Sequence, residues 1–378
     1  MWSLESSAVP LPSLQTMTPN VTNSELAHAT IEDALAITVI ICCHNGAARL
    51  PCTLAALSKQ RLGPNVPWEV IVVDNASTDE TASVAYDHWP SHAPAPLRVL
   101  REGRLGLNNA RECGFEAARY EIVVFVDDDN SLTGDCLETA LKLFQSRSEV
   151  GAGWGRTVGV FETPPSKWLE AESGNLAVGR PFHKSGPLPR ERYLYGAGLC
   201  VRKRAWQQLR AQGFRCLGTD RQGTRLTSAG DVELCFALQL AGWTIWYEDS
   251  LVLEHHIPTQ RCSWSYFRRL FRGHGISSVI LDPYHRAFRN VAQTPRERLR
   301  TTWWWRLAGS VFMLISRPSH WIKAAFDRNE GSNSVLALEY IIGRVGALIA
   351  LRNRYDEMFA QVEAACSNKN RAEHAIVR

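Results

Sequence analysis

Ile122-Val-Val-Phe-Val-Asp-Asp-Asp-Asn130 is the stretch of this sequence that decides the fold. Its apolar run, mostly β-branched, predicts a short strand buried on both faces, as in parallel sheets. The run ends in three carboxylates, and in open α/β sheets ligands bind beyond the carboxyl ends of the strands. Adjacent acids repel one another, and a divalent cation with oxygen ligands would offset that repulsion. A solvated acidic turn is the alternative that this stretch alone leaves open.

Strand and helix patterns alternate along the chain before this stretch. Ile37–Cys43, Glu69–Val73 and Leu97–Leu100 are apolar runs, and the segments 47–60 and 106–119 between them have helical patterns. A βαβα alternation of this kind predicts an α/β fold, with a Rossmann-like, mostly parallel sheet flanked by helices.

Composition excludes several classes of protein. The chain has 378 residues, of which 45% are hydrophobic and 21% charged, as in ordinary globular proteins. Its net charge of +4 is too small to indicate a nucleic-acid partner. The ten cysteines are scattered without a CxxC pair, which predicts reduced thiols in a cytosolic protein. The first 35 residues have no signal-peptide pattern.

Polar motifs follow the predicted strands. They are Cys42-Cys-His-Asn-Gly46, Asp74-Asn-Ala-Ser-Thr-Asp79, the helix start Gly106-Leu-Asn-Asn-Ala-Arg111, and Asp127-Asp-Asp129. The carboxyl ends of parallel strands meet at one edge of a sheet, so these motifs are expected to converge there. No G-x-G-x-x-G follows the first strand, which argues against a Rossmann dehydrogenase.

With these motifs the chain resembles the inverting, nucleotide-sugar-dependent glycosyltransferases of family 2, which have a GT-A fold. The matching segments are ITVIICCHNGAARL, EVIVVDNASTDET, GLNNARECG, IVVFVDDDN, YGAGLCVRKRAW and SAGDVELCFALQLAGW. The resemblance covers about residues 37–260. It implies transfer of a sugar from a nucleoside-diphosphate donor, UDP- or dTDP-type favoured, to a hydroxyl of a glycan or lipid-linked saccharide, in polysaccharide or cell-envelope glycan biosynthesis. It also implies Mg²⁺ or Mn²⁺ as cofactor.

The resemblance assigns roles to individual residues. It places the nucleotide sugar against Asn45, Asp74, Gly106, Arg111, Asp127 and Asp128. It puts the metal on Asp129, with His255 as a further ligand. Asp231 becomes the catalytic base that takes the proton of the acceptor hydroxyl. Purely structural roles remain as alternatives. They are a turn for Asn45, helix caps for Asp74 and Asp231, and a surface ion pair with a nearby Glu for Arg111.

The sequence departs from the family pattern at two places. Cys43-His44 stands where Thr-Tyr is usual, and Gly230-Asp231 stands where Glu-Asp is usual. The second change removes a carboxylate next to the expected base. Glu233 does not replace it, because a residue two positions further along a helix points to another face.

The chain divides into three predicted regions. Residues 1–35 form a flexible leader, and residues 36–260 form the GT-A domain, with a nucleotide-binding half (36–130) and an acceptor half (131–260). Residues 261–378 form a helical C-terminal extension. Segment 257–306 holds ten arginines but two acids, with aromatic residues interleaved. That composition is typical of an anionic membrane surface, a phosphate-bearing substrate or a solvated face. Arg268, Arg269 and Arg272 are candidates for closing over a phosphate.

Neither apolar stretch of the C-terminal third is predicted to span a membrane, because Trp303–Ile315 is too short and the stretch 335–351 is interrupted by charges. The expected location is cytoplasmic, with a peripheral position on the inner face of the cell membrane left open. Two functional alternatives also remain: a polyprenyl-phosphate glycosyltransferase, and a nucleotide-sugar-binding protein whose catalysis has decayed.

Overall fold

The computed structural model describes residues 35–218, 220–221, 226–289 and 294–376, with the backbone alone for 367–376. The predicted leader lies outside the described residues, apart from Leu35. The strands are β1 Ile37–Cys43, β2 Trp68–Asn75, β3 Leu97–Glu102, β4 Ile122–Asp127, β5 Asn130–Leu132, β6 Val150–Phe161, β7 Gly186–Pro187, β8 Cys200–Arg202 and β9 Thr244–Ile257.

These strands form one mixed sheet in the order β3-β2-β1-β4-β8-β6-β9-β5, with β7 on β9. β1 pairs in parallel with β2 and β4, and β2 pairs in parallel with β3. β2 is buried along its whole length, as expected of a central strand covered on both faces. The predicted α/β architecture is confirmed. β8 pairs antiparallel with both β4 and β6, whereas β6 pairs in parallel with β9.

Register brings the polar motifs to one edge. Cys43 lies opposite Asp74, and Cys42 lies opposite Asp127, so β1, β2 and β4 end level with one another. β5 pairs antiparallel with β9, with Asn130 opposite His255. A late strand therefore brings His255 beside the acidic triplet.

The helices are α1 Leu50–Leu57, α2 Thr81–Asp87, α3 Leu107–Ala117, α4 Cys136–Ser146, α5 Lys167–Ala171, α6 Lys203–Ala211, α7 Gly230–Leu240, α8 Trp264–Arg289, α9 Pro295–Arg300, α10 Trp303–Ile315, α11 Pro318–Phe326, α12 Asn333–Ala350 and α13 Tyr355–Ile376. The C-terminal extension is helical, as predicted. α8 joins it to the sheet region, because Phe288 and Tyr284 pack in the large core around the strands.

Helix α12 crosses α8 in close backbone contact. A Cβ added at Gly275 would overlap the carbonyl oxygen of Tyr340, and one added at Gly343 would overlap the carbonyl oxygen of Arg272. By length and composition alone, α12 is the one described helix that could cross a membrane, and 39% of that stretch is buried inside the structure. Its buried residues include Leu336, Ile341 and Leu348, so this helix packs as part of the folded body.

Candidate active site

A cavity of about 710 Å³ opens at the edge where the parallel strands end. Its walls come from the loop after β1, the acidic triplet, the segment 191–197, the start of α7 and one side of α8. A concave site of this size, with a few converging polar groups, is typical of a small-molecule site.

Six of the predicted site residues line this cavity: Arg111, Asp127, Asp128, Asp129, Asp231 and His255. The other three are not among the residues that line it. Asn45 Oδ1 accepts a hydrogen bond from the Thr78 N–H at 2.8 Å, and Asp74 Oδ1 accepts one from the Ser77 N–H at 3.1 Å. The Gly106 N–H donates to Asn75 Oδ1 at 2.8 Å. Their contacts with a nucleotide stay predictions.

Asp129 lies in a positively charged corner of the cavity. Its Oδ2 accepts a hydrogen bond from Arg261 Nη1 at 2.9 Å and lies 3.5 Å from His255 Nε2. Burial raises the pKa of Asp129, but the interaction with His255 and the charges of Arg261 and Arg221 outweigh it and hold the pKa below the ordinary value. Asp129 is therefore an ionised carboxylate at neutral pH.

The other two acids of the triplet differ from Asp129. Arg49 donates to both oxygens of Asp128, at 3.1 Å and 2.6 Å. Burial nevertheless raises the pKa of Asp128 to about 6, against the opposing hydrogen bonds from Arg49. Asp127 lines the cavity and has no hydrogen bond to its side chain from the described residues. Its carboxylate is thus available to a ligand.

The residues present fit a divalent cation that shares its ligands with a phosphate-bearing substrate. No group of three or more acid, His or Cys side chains in the described part of the chain could hold a metal alone. Mg²⁺ is usually bound through one or two carboxylates and the substrate's phosphates. Arg261 Nη1 contacts both Asp129 and His255, so this pair already accommodates a positive charge.

Asp231 faces the cavity from the first turn of α7, where the helix dipole favours a negative charge. Its Oδ2 accepts a hydrogen bond from the Gly196 N–H at 2.7 Å. A Cβ added at Gly196 would lie 3.2 Å from that carboxylate and 2.5 Å from Arg111 Nη2, so the glycine keeps this wall close to both groups. The fixed carboxylate can accept a proton from a hydroxyl in the cavity.

A second acid on this side, Asp220, was missed by the sequence reasoning. Its Oδ2 lies 3.5 Å from Arg111 Nη1, and both side chains are nearly buried. Burial raises the pKa of Asp220 to about 6, and the charge of Arg111 opposes the rise. A Cβ added at Gly230 would lie 2.8 Å from Asp220 Oδ2. Asp220 therefore places a carboxylate next to position 230, which is a glycine in this chain.

Arg111 is not at the surface, contrary to the alternative of a surface ion pair. Its side chain is 12% exposed, and its partner is Asp220 instead of a Glu. The neighbouring Glu112 pairs with Arg210. The positive charge of Arg111 is thus kept inside the cavity wall, between two aspartates.

A family model described as glycosyl transferase family 2 matches residues 38–202. Residues 38–202 belong to glycosyl transferase family 2. This family 2 segment contains the loops after β1 and β2, Arg111 and the acidic triplet. Asp220, Asp231 and His255 lie beyond it along the chain, and the structure brings them to the same cavity.

Relatives of the family 2 segment include an uncharacterized glycosyltransferase of Mycobacterium tuberculosis (strain H37Rv), 31% identical over 154 residues, which cover 41% of this chain and 62% of that protein. The dolichyl-phosphate beta-glucosyltransferase of Drosophila melanogaster is 37% identical over 125 residues, 30% of this chain and 38% of that protein. The chain thus spans less than two thirds of the length of these relatives.

A solved structure also resembles the chain at low identity. The mannosyltransferase PcManGT from Pyrobaculum calidifontis, in complex with GDP-Man and Mn²⁺, is 20% identical, with a TM-score of 0.48 over 88% of this chain and 86% of that one.

The arginines of α8 do not line the cavity. Arg268 Nη2 lies 2.7 Å from Glu339 Oε1, and Arg272 Nη2 lies 2.5 Å from Glu339 Oε2. Arg269 lies over the Tyr266 ring, at 6.0 Å. None of these three arginines lines the cavity, where Arg49 and Arg261 provide guanidinium groups. Arg261 follows β9 and could have been suspected from the basic segment.

Proposed function

We propose that this protein is an inverting glycosyltransferase that moves a sugar from a nucleoside-diphosphate sugar to a hydroxyl of a glycan or lipid-linked saccharide, in polysaccharide or cell-envelope glycan biosynthesis. The family 2 segment supports sugar transfer. The observation that carries the proposal is that the acidic triplet and Asp231 face one cavity, from different halves of the chain. One acid cluster can serve the donor while the other serves the acceptor.

The donor would lie along the ends of β1, β2 and β4. Asn45, Asp74, Gly106 and Arg111 would hold the nucleotide and its diphosphate, and the carboxylate of Asp74 would select a base with a ring N–H, as in uracil or thymine. Asp127 and Asp128 would contact the ribose or sugar.

Asp129 and His255 would hold Mg²⁺ or Mn²⁺ together with the diphosphate. The bound cation would supply stabilisation for the negative charge that develops on the leaving nucleoside diphosphate. Arg261 lies between these two side chains and adds positive charge at the same place. The protein's own contribution would therefore be an ionised carboxylate for the cation and a guanidinium for the diphosphate.

On the acceptor side, Asp231 would take the proton of the attacking hydroxyl. The oxygen would then displace the diphosphate from the anomeric carbon in one step, with inversion. The Gly196 N–H orients the Asp231 carboxylate, and Asp220 gives the second carboxylate that the sequence lacks at position 230. Retention of all these acids disfavours a decayed nucleotide-sugar-binding protein.

A lipid phosphate as acceptor is the second candidate. One relative of the family 2 segment has the name of a dolichyl-phosphate glucosyltransferase, and its identity of 37% favours this candidate. A polyprenyl phosphate carries no hydroxyl proton at neutral pH, so its transfer would need no base at Asp231. The two candidates are therefore separable by one variant.

The test begins with a thermal-shift screen of nucleotide sugars with Mn²⁺ or Mg²⁺, because a ligand that binds the native state raises the apparent stability. The donor found is then used in transfer assays with saccharide and polyprenyl-phosphate acceptors. We expect Asp231→Asn to keep donor binding and lose transfer to a hydroxyl by a factor of at least about 100. Asp87→Asn, an exposed acid on α2, is the control with wild-type transfer. Near-normal transfer by Asp231→Asn would place the base elsewhere.

A further inference from the structure

Helices α10 and α11 expose large apolar side chains to solvent. Phe312 is 64% exposed and Ile315 65%, and on α11 Ile322 is 60% and Phe326 79% exposed. Together with Trp304 and Trp305 they form what we call the apolar face: Trp304, Trp305, Phe312, Ile315, Ile322 and Phe326. Single exposed apolar residues are common, but several on consecutive helices mark an interaction site.

The α10 part of the apolar face is the outer side of a helix that has apolar residues on two sides. On the inner side of α10, Trp303 and Leu307 pack against the cluster formed by Val279, Leu348 and Tyr355. On its outer side, Trp304, Ala308, Phe312 and Ile315 recur at intervals of three and four residues, which places them on one stripe. A helix with apolar residues on both sides needs a cover on both, and the described residues provide only the inner one.

A hydrogen bond links the two helices. Trp321 Nε1 of α11 donates a hydrogen bond to the Met313 carbonyl oxygen of α10 at 2.9 Å. Ile322 and Phe326 are four residues apart and thus lie on the same side of α11. The exposed side chains therefore belong to two linked helices.

The basic residues near the apolar face indicate what kind of partner it binds. Residues 301–326 contain Arg306, Arg317 and Lys323 and no acid. We propose that the apolar face lies on the surface of an anionic lipid bilayer, with these helices in the headgroup region and their apolar side chains below it. Trp and Tyr are enriched at that depth, and basic side chains are attracted to anionic lipids. α10 has 13 residues, too few to span a bilayer, which takes about 20.

A second copy of the chain is a less suitable cover. In a two-fold dimer the same patch meets itself, which would bring together two surfaces that carry basic residues and no acid. Lys is also depleted from protein interfaces. The bilayer proposal goes beyond the proposed transfer reaction, because it needs no donor, acceptor or turnover.

The test measures binding of the full chain to vesicles of phosphatidylcholine alone and of phosphatidylcholine with phosphatidylserine. We expect binding to the anionic vesicles that weakens as salt is raised. Phe312→Ser with Ile315→Ser should weaken it at least about tenfold, since each side chain loses its transfer out of water. Arg317→Glu with Lys323→Glu should abolish the preference for anionic vesicles.

The control is Tyr86→Ser, which removes an aromatic side chain that is 57% exposed on α2, a different part of the surface. It should bind vesicles like the wild type. Thermal unfolding of every variant shows that loss of binding is not loss of folding. Equal binding by the Phe312/Ile315 variant would overturn the proposal, and so would equal binding to both kinds of vesicle. A dimer that only the Phe312/Ile315 variant disrupts, without vesicle binding by the wild type, would assign the face to a second copy instead.

Discussion

Gly343→Ala tests whether the packing of the C-terminal helices supports the active site. Gly343 sits where α12 crosses α8, and its missing side chain leaves room for the carbonyl oxygen of Arg272. A methyl group there meets backbone, which cannot rotate away as a side chain could. The helices must move apart, or the crossing must shift.

The expected loss of stability follows from two opposing terms. Overpacking costs about 1–3 kcal/mol, with backbone contacts at the upper end. Alanine improves the helix propensity over glycine by up to about 1 kcal/mol. We therefore expect Gly343→Ala to lower the free energy of unfolding by about 2 kcal/mol. Gly346→Ala is the matched control in the same helix, because its Cβ would meet nothing within 4 Å. It should raise the free energy of unfolding by up to about 1 kcal/mol.

Urea denaturation of the wild type and both variants measures these differences. The cavity supplies a second measurement, since His274 of α8 and Tyr340 of α12 both line it. We expect Gly343→Ala to weaken binding of the nucleotide sugar or its acceptor, while Gly346→Ala leaves it unchanged. Equal stability of the two variants would refute the close crossing, and unchanged binding by Gly343→Ala would separate these helices from the site.

Three further substitutions test individual acids. Asp129→Asn should remove the strengthening of UDP binding by Mn²⁺ in calorimetry, and a wild-type response to Mn²⁺ would move the metal away from this carboxylate. Asp220→Asn should slow transfer and remove a step near pH 6 from the pH–rate profile, because the wild-type pKa is raised to about 6 by burial; an unchanged profile would contradict a role for this group. Glu233 has a pKa raised to about 8 by burial, so its contribution to stability is full below pH 4.5 and is lost as the pH rises through 8. Between pH 6.5 and 8 the wild type should lose about 2 kcal/mol more than Glu233→Gln in urea denaturation, and parallel losses would show that Glu233 is ionised throughout.

The parallel half of the sheet was predictable because its signals are local. β1 has the bounds of the apolar run Ile37–Cys43, and β4 extends the run Ile122–Val126 by Asp127. Short β-branched runs separated by helical patterns leave few topologies for a parallel sheet. Convergence of the motifs after β1, β2 and β4 follows from that topology, which is why most predicted site residues line one cavity.

Contacts between distant segments were not predictable in this way. The pairing of β5 with β9 brings His255 to Asp129, and only the family resemblance pointed to that histidine. From composition, Arg268 and Arg272 were expected to be free to bind phosphate. In the structure both form ion pairs with Glu339 on α12. An ion-pair partner about 70 residues away on a second helix leaves no local pattern in the sequence. Composition alone therefore overestimated how many arginines of this segment are unpaired.

The charge of the group formed by Arg111, Asp220 and Asp231 depends on pH. Arg111 interacts electrostatically with both Asp220 and Asp231. With both acids ionised, the three groups carry a net charge of −1; with Asp220 protonated, they are neutral. Because the pKa of Asp220 is raised to about 6, this change occurs just below neutral pH. A negative group disfavours the approach of a diphosphate. We therefore expect donor binding, measured by calorimetry, to tighten as the pH falls below about 6, and an affinity that does not change with pH would contradict this reasoning.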